Sequence, residues 1–493
     1  MSSDVFGHGV ASGDPLPDGV VLWSRVTVTD ARVPVRWRLA TDPALQDVRS
    51  EGVTDACSER DWTVRVDVGG LAPATTYYYG FAACGATSPT GRTRTAATGQ
   101  TDRVRLGLVA CASWQGGYFN AYSHLAGREV DAVVHVGDYL YEQGGETREI
   151  VRPHVPAAAP RDLAGYRRRH AQYKSDPDLQ RLHARHPVVA VWDDHEIAKD
   201  AWRDGARGHD AATHGSWRGR RDAAVRAYLE WMPVRAGADG GVPRIYRSLQ
   251  LGALAELLML DTRLVGRDRP AGRQPTPGVE QRDRSLLGEE QRAWLRERLA
   301  SSTARWRLIG NQVMLAPLHA LRLPGVLHRL ARPLGPVAGG AFVNPGQWDG
   351  YPGERRELLA FVRRHEIDNV VVLSGDIHSS WAAELRTDGE DVPVAVEFVT
   401  PSVTTRSFAA ELFPRLPGAV PVLTRLIRSQ NPHVRFAETA GHGYVIVDVT
   451  PARVHADWWH VDSVSRRPAD EHWVAGWEVR SGEARLHRAG PLS

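Results

Sequence analysis

Residues 131–142 read DAVVHVGDYLYE, and the reading of this stretch decides the fold. The apolar run AVVHV ends abruptly at Gly137 and Asp138, and Tyr141 follows three residues later. A strand without polar alternation is one buried on both faces, as in a sheet covered by other layers. In such α/β sheets the chemistry lies just beyond the carboxyl ends of the strands.

The same design recurs along the chain. VRLGLVACAS (104–113) delivers Cys111, and HPVVAVWDDHE (186–196) delivers Asp193, Asp194 and His195. AELLMLDTR (255–263) ends at Arg263, and WRLIGNQVML (306–315) carries Asn311. NVVVLSGDIH (369–378) delivers Asp376 and His378. Between these runs, GEEQRAWLRERLASS (288–302) and GERRELLAFVRRHE (353–366) place apolar residues at helical spacing. The expected core is therefore an α/β fold whose sheet is buried on both faces.

The ends of the chain read differently. GVVLWSRVTV, VPVRWRLAT, DWTVRVDVGG and TTYYYGFAA are β-rich runs bounded by turn residues, so residues 1–98 are expected to form an all-β, fibronectin- or immunoglobulin-like sandwich. LAPATTYYYGFAA (71–83) sets tyrosines after a Leu-x-Pro turn, the pattern of a tyrosine corner. SPTGRTRTAATGQTD (88–102) reads as a linker, and 99–493 as the second domain. The tail from about 440 returns to strand character, and 320–345, rich in Leu, Pro and Gly, reads as a long loop or lid.

Bulk properties exclude several classes. The chain has 493 residues, 42% hydrophobic and 24% charged, with a net charge of +3. That is ordinary for a globular protein. Of 61 basic residues only Lys174 and Lys199 are lysine. Arginine suits phosphate, although a coding bias toward G and C is the simpler account. Acidic residues are interspersed throughout, so no nucleic-acid stripe is expected. Cys57, Cys84 and Cys111 allow one disulfide at most. No apolar run is long enough for a membrane helix. The N-terminus lacks the n- and h-regions of a signal peptide, leaving a cytoplasmic protein or one exported with its leader removed as the expectations.

Each strand end taken singly has an ordinary explanation. Asp138 could cap a turn, Cys111 could be a small buried hydrophobe, and Tyr141 could pack in the core. The segment DDHE could open a helix, with acids matched to its dipole. The joint pattern points elsewhere. A carboxylate, a thiolate, a phenolate and an imidazole together neutralise divalent or trivalent cations, and shared carboxylates suit a two-metal cluster that activates water and clamps a phosphoryl group.

These residues resemble the PhoD-like alkaline phosphatases of the calcineurin-like metallophosphoesterase superfamily. FGHGVASGDPLPDGVVLWSRV, CASWQGGYFNAYSHLA, VVHVGDYLYE, YRRRHAQY, PVVAVWDDHE, MLDTR, IGNQVM, WDGYPGERR, LSGDIHSSW and FVTPSVTT follow the family's landmarks in order, nearly end to end. The resemblance implies an α/β fold built as a β-sheet sandwich flanked by helices, with Fe3+ held by Cys111 and Tyr141 among its ligands, Asp138 as the bridging carboxylate, and Ca2+ as the second metal facing Asp194. Asp193, Asp376 and His378 become further candidate ligands. His195 becomes the candidate catalytic group, touching phosphate or protonating the leaving oxygen, or else a histidine that only orients a ligand. Arg263 binds phosphate through its fork or pairs with Asp261 or a neighbouring acid. One departure bears on the second metal: Lys199 stands where family members often carry Asn, and Asp200 could compensate. The usual twin-arginine leader is also absent.

The implied activity is hydrolysis of phosphate monoesters, and also of phosphodiesters, on a small-molecule, lipid or nucleotide phosphoester. The protein is expected to act as a monomer without a stable nucleic-acid partner. The alternatives are a dedicated phosphodiesterase on the same cluster, a non-catalytic binding module, and a nucleic-acid-binding protein resting on arginine content alone.

Overall fold

The computed structural model describes residues 5–143, 150–237, 241–270, 284–319, 345–387, 391–412 and 420–492. The proposed lid at 320–345 falls almost wholly outside these residues.

Two large sheets form the body. In the ten-stranded sheet the central strands Val104–Val109, Ala132–His135 and Val188–Ala190 are parallel neighbours. The tail joins it: His442–Val449 pairs antiparallel with Val104–Val109, followed outward by Arg453–Val461, Glu471–Arg480 and Leu486–Ala489. The seven-stranded sheet has a parallel centre of Ala255–Met259, Trp306–Gly310, Val370–Ser374 and Pro393–Val399.

Side-chain alternation explains how the sheets pack. Leu257, Met259, Leu308, Val371 and Leu373 enter one apolar core together with Leu106, Leu108 and Val134 of the first sheet. Their neighbours Leu258, Ile309, Val370 and Val372 point the other way, onto Leu295, Leu299, Leu358 and Leu359. Those leucines belong to helices Glu289–Ser301 and Pro352–Arg364, which cover the segments with helical spacing. The strand Val370–Ser374 is buried at every position because both of its faces are covered.

The N-terminal residues are all-β apart from one short 3-10 turn, Ser58–Arg60. Arg32–Ala40, Val48–Cys57, Thr76–Ala83, Ala86–Thr87 and Gly91–Arg94 form a separate five-stranded sheet. Val10–Leu16, Gly19–Arg25 and Thr63–Val68 face it across a core that includes Val20, Leu22, Val35, Leu39 and Phe81. These three strands are also the edge of the ten-stranded sheet, through the parallel pair Gly13 and Val188. The backbone thus runs on from the sandwich into the main sheet. The stretch expected to be a linker is partly structured, since Gly91–Arg94 pairs with Thr76–Tyr79. The tyrosine corner is present: the Ala72 N–H donates to Tyr77 Oη at 2.9 Å. All three cysteines are free.

Candidate metal centre

The carboxyl ends of the parallel strands from both sheets converge on one place. Cys111, Asp138, Asp193 and Asp194 follow strands of the first sheet, and Arg263, Asp376 and His378 follow strands of the second. Gly375 permits this approach. A Cβ there would lie 2.6 Å from Ala110 Cβ and 3.1 Å from Val136 Cγ2. The backbone turns sharply at each strand end. Cys111, Asp138, Asp376 and His378 all adopt positive φ, between 54° and 62°. Left-handed backbone at a non-glycine residue costs about 1–3 kcal/mol. Four such residues at one site are held there by the packing around them.

Three groups of potential donors share this space, each with its ligand atoms within 4.8 Å of one another: Cys111, Asp138 and His378; Asp138, Asp194 and His195; and Asp138, Asp193, Asp194 and Asp376. Asp138 belongs to every group. Tyr141 Oη donates to Asp138 Oδ2 at 2.9 Å and lies 3.4 Å from His378 Nε2. All the residues predicted from the strand ends are therefore brought together, with the exception of Asn311. Its amide is committed to Val313 O and Ser374 Oγ, and it accepts from Trp348 Nε1, which ties neighbouring strands together.

Arg263 lies among the acids. Its guanidinium pairs with both oxygens of Asp193, reaches Asp376 Oδ1 at 3.1 Å and sits 3.5 Å from Asp194 Oδ1. Asp261 instead accepts the backbone N–H groups of Arg263 and Leu264. Lys199 donates its backbone N–H to Glu142, and its charge helps to lower the pKa of Asp194. The Asp200 N–H is bonded to Asp194 Oδ2, while the Asp200 carboxylate pairs with Arg207 at 3.4 Å.

The electrostatics follow from this crowding. Burial, then the neighbouring acids Asp194, Asp193 and Glu196, hold the pKa of Asp138 far above the usual carboxylate range, against the opposing pull of His195. Asp193 is pushed up to about 8 by burial and by Asp194 and Asp376, despite Arg263. Asp194 is the exception: burial raises its pKa, but Arg263, His195 and the Asp200 N–H together bring it below the usual range. Burial and then Asp138 raise both the Cys111 thiol and the Tyr141 phenol. So many acidic groups in one buried space cannot all ionise side by side unless cations compensate them. The Asp194 Oδ1 atom is buried with no hydrogen-bond partner. The donor chemistry, the shared carboxylate and this oxygen, which has only the Arg263 charge 3.5 Å away and no hydrogen bond, fit a metal cluster.

Two acids that matter were not assigned a role from sequence. Glu196 accepts the N–H groups of Asp138 at 3.1 Å, Tyr139 at 2.6 Å and Asp193 at 2.8 Å, and so fastens two of the loops to each other. Glu142, fully buried, meets His195 Nδ1 at 2.7 Å and accepts the Lys199 N–H at 2.8 Å. Tyr141 stacks on the His195 ring at 4.0 Å between centroids. Burial alone would deprotonate His195, but Asp194, Glu142 and Asp138 outweigh it and raise its pKa well above 6.5. The sequence signal for both residues was their place as the final acid of VGDYLYE and of WDDHE.

A buried, oxygen-rich cluster between the converging strand ends of two sheets is the architecture of a metal-dependent hydrolase. The profile described as PhoD-like phosphatase matches residues 106–458, and that of the PhoD-like phosphatase N-terminal domain matches residues 1–97. Alkaline phosphatase D of Bacillus subtilis (strain 168) is 35% identical over 483 residues, covering 93% of this chain and 78% of that protein. A solved structure described as "Structure of PhoD" superposes with a TM-score of 0.89 at 32% identity, covering 100% of this chain and 94% of that one. The chain belongs to the PhoD-like phosphatase family, and is a phosphoester hydrolase of the alkaline phosphatase type. Members of this family depend on metal, and the donor groups above are where this chain can supply it. No helix among the described residues is long and apolar enough to cross a membrane.

Proposed function

We propose that this protein releases phosphate from phosphate monoesters, and also cleaves diesters, at a cluster bridged by Asp138. The single observation that carries the reading is that Asp138 belongs to all three donor groups. Cys111, Tyr141 and His378 offer thiolate, phenolate and imidazole on one side of it, a set that suits Fe3+. Asp194 and Asp376 offer oxygens that suit Ca2+, and Asp193 is the weaker candidate because Arg263 pairs with both of its oxygens. When bound, the metals supply Lewis acidity and lower the pKa of a coordinated water.

The protein's own groups do the rest. Glu142 bonds His195 Nδ1 and leaves Nε2 to meet the phosphate or its leaving oxygen. The buried Glu142 carboxylate at 2.7 Å favours the charged imidazole, the form a proton donor requires. Arg263 offsets the carboxylates, and its Nη1, buried without a hydrogen-bond partner, is the part of the fork left to bind phosphate. A second reading of His195, as a ligand, has its own support because its donor atom lies within 4.8 Å of those of Asp138 and Asp194.

Every candidate residue falls in 99–493, which we assign as the catalytic domain, with 1–98 as its N-terminal sandwich domain. All come from one chain, so a monomer carries a complete site. The test is to assay p-nitrophenyl phosphate against bis-p-nitrophenyl phosphate before and after EDTA treatment, with elemental analysis and a visible spectrum. Iron near one per chain, a band lost in Tyr141→Phe, and higher kcat/KM on the monoester are expected. A metal-free protein of full activity would sink the reading, and a strong diester preference would make it a dedicated phosphodiesterase.

A further inference from the structure

The motif YRRRHAQY (166–173) has no part in the chemistry above, yet it lies on a helix, Leu163–Lys174, whose side chains reach three of the site loops. Tyr173 Oη accepts the N–H of Tyr141 at 3.0 Å and that of Trp114, three residues beyond Cys111, at 2.9 Å. Arg169 Nη1 donates to the carbonyls of Tyr141 at 2.7 Å and Glu142 at 2.8 Å. Its Nη2 donates to Pro156 O at 3.1 Å and Ala158 O at 3.2 Å. One turn earlier, Tyr166 Oη donates to Ile197 O, just beyond the DDHE segment. Arg169 is 2% exposed and Tyr173 is fully buried. Arg169 makes no ion pair with a carboxylate among the described residues; its fork is spent on carbonyls and on His154 Nδ1.

The two residues that Arg169 grips are the two that fix His195. Tyr141 stacks on its ring and Glu142 bonds its Nδ1. The Tyr141 residue is itself held at both ends, its N–H by Tyr173 and its carbonyl by Arg169. We propose that Arg169 and Tyr173 are positioning residues that set the Tyr141–Glu142 segment, and through it the orientation of His195, from a helix that touches no substrate. This rests on the reading of His195 as the group that meets the phosphate. Lysine cannot replace Arg169, because a point donor cannot span the carbonyls on both sides of the guanidinium. Displacing a catalytic group by about 1 Å costs up to about a hundredfold in rate.

The experiment is a double-mutant cycle on p-nitrophenyl phosphate with metal-loaded protein. Arg169→Lys and Tyr173→Phe are each made in the wild type and in His195→Ala, with metal content and thermal midpoint recorded for every variant. Each substitution is expected to lower kcat by about tenfold or more in the wild type with little change in KM. In His195→Ala the same substitution should cost less than about threefold, because effects acting through one partner do not add. An equal factor in both backgrounds, or a loss that tracks metal content or thermal midpoint, overturns the proposal. Should Arg169→Lys fail to fold, Tyr173→Phe decides it alone by the same criteria. If His195→Ala keeps wild-type activity, the reading of His195 is what fails. The cycle against Tyr141→Phe then judges the Arg169 and Tyr173 clamp in the same way, additivity again being the refuting result.

Discussion

Replacing Gly375 by Ala tests whether the convergence of the two sheets is what makes the site. The added Cβ would stand 2.6 Å from Ala110 Cβ. Ordinary contact begins near 3.4 Å, so the two strand ends must part by about 0.8 Å in a close-packed interior. Neither neighbour is a flexible side-chain tip: Ala110 immediately precedes Cys111, and Val136 Cγ2, at 3.1 Å, sits two residues before Asp138. Overpacking of this kind costs about 1–3 kcal/mol. The larger effect is on function, because the shift separates Cys111 and Asp138 on one sheet from Asp376 and His378 on the other. A displacement near 1 Å lowers kcat by about a hundredfold, and metal affinity should fall with it. Denaturant unfolding monitored by circular dichroism gives the first quantity. Metal content after dialysis and kcat on p-nitrophenyl phosphate give the second and third. A Gly375→Ala protein with full metal content and wild-type kcat would show that the register of the two sheets at this point does not govern the site, and would refute the reasoning.

Three further predictions follow from other parts of the structure. Glu196→Gln leaves one of three buried N–H donors facing an amide NH2, which should destabilise the protein by about 1–3 kcal/mol and weaken metal binding; unchanged midpoints in urea and unchanged metal content would argue against its role as a fastener. Metal-stripped protein should lose stability as pH rises from about 6.5 toward 8; below that range buried histidines such as His135, His170 and His460, lowered to about 3, act in the opposite direction. Asp193 and Glu196 have folded pKa values raised to about 8, so the native state keeps protons that the unfolded chain has already released, and His195, also raised, acts in the same direction. Added metal should reverse the trend, because it binds the deprotonated donors; thermal midpoints across this pH range with EDTA and with metal check both signs. Finally, Tyr77→Phe removes the acceptor of the Ala72 N–H and should cost about 1 kcal/mol without changing kcat, which urea unfolding alongside the phosphatase assay would detect.

Much of this protein was legible in its sequence because its signals are local. A buried parallel strand must be apolar throughout, so DAVVHV and NVVVLS announced themselves, and the residues that broke each run, Asp138 and Asp376, were necessarily the ones at the mouth of the sheet. The tyrosine corner was legible for the same reason, since Tyr77 reaches only five residues back. The family resemblance could assign ligand types to these positions, but spacing along the chain could not say which donors share a cation.

What only the tertiary structure decided depends on contacts between residues far apart in sequence. Arg263 could have turned to Asp261, two residues away, and instead pairs with Asp193, seventy residues away, because the two sheets bring their strand ends together. Asn311 sits at a strand end like the others, yet its amide is consumed by Val313, Ser374 and Trp348. Glu196 and Arg169 are the clearest cases. Their local sequence does not say whether either side chain is solvated or buried, and only the fold places each among the backbone groups it bonds. The edge of the ten-stranded sheet shows the same limit, for the pairing of Gly13 with Val188 crosses the boundary that composition drew near residue 98. Local patterning fixes which segments are strands and what their ends can bind. The packing of one sheet on another fixes which ends meet.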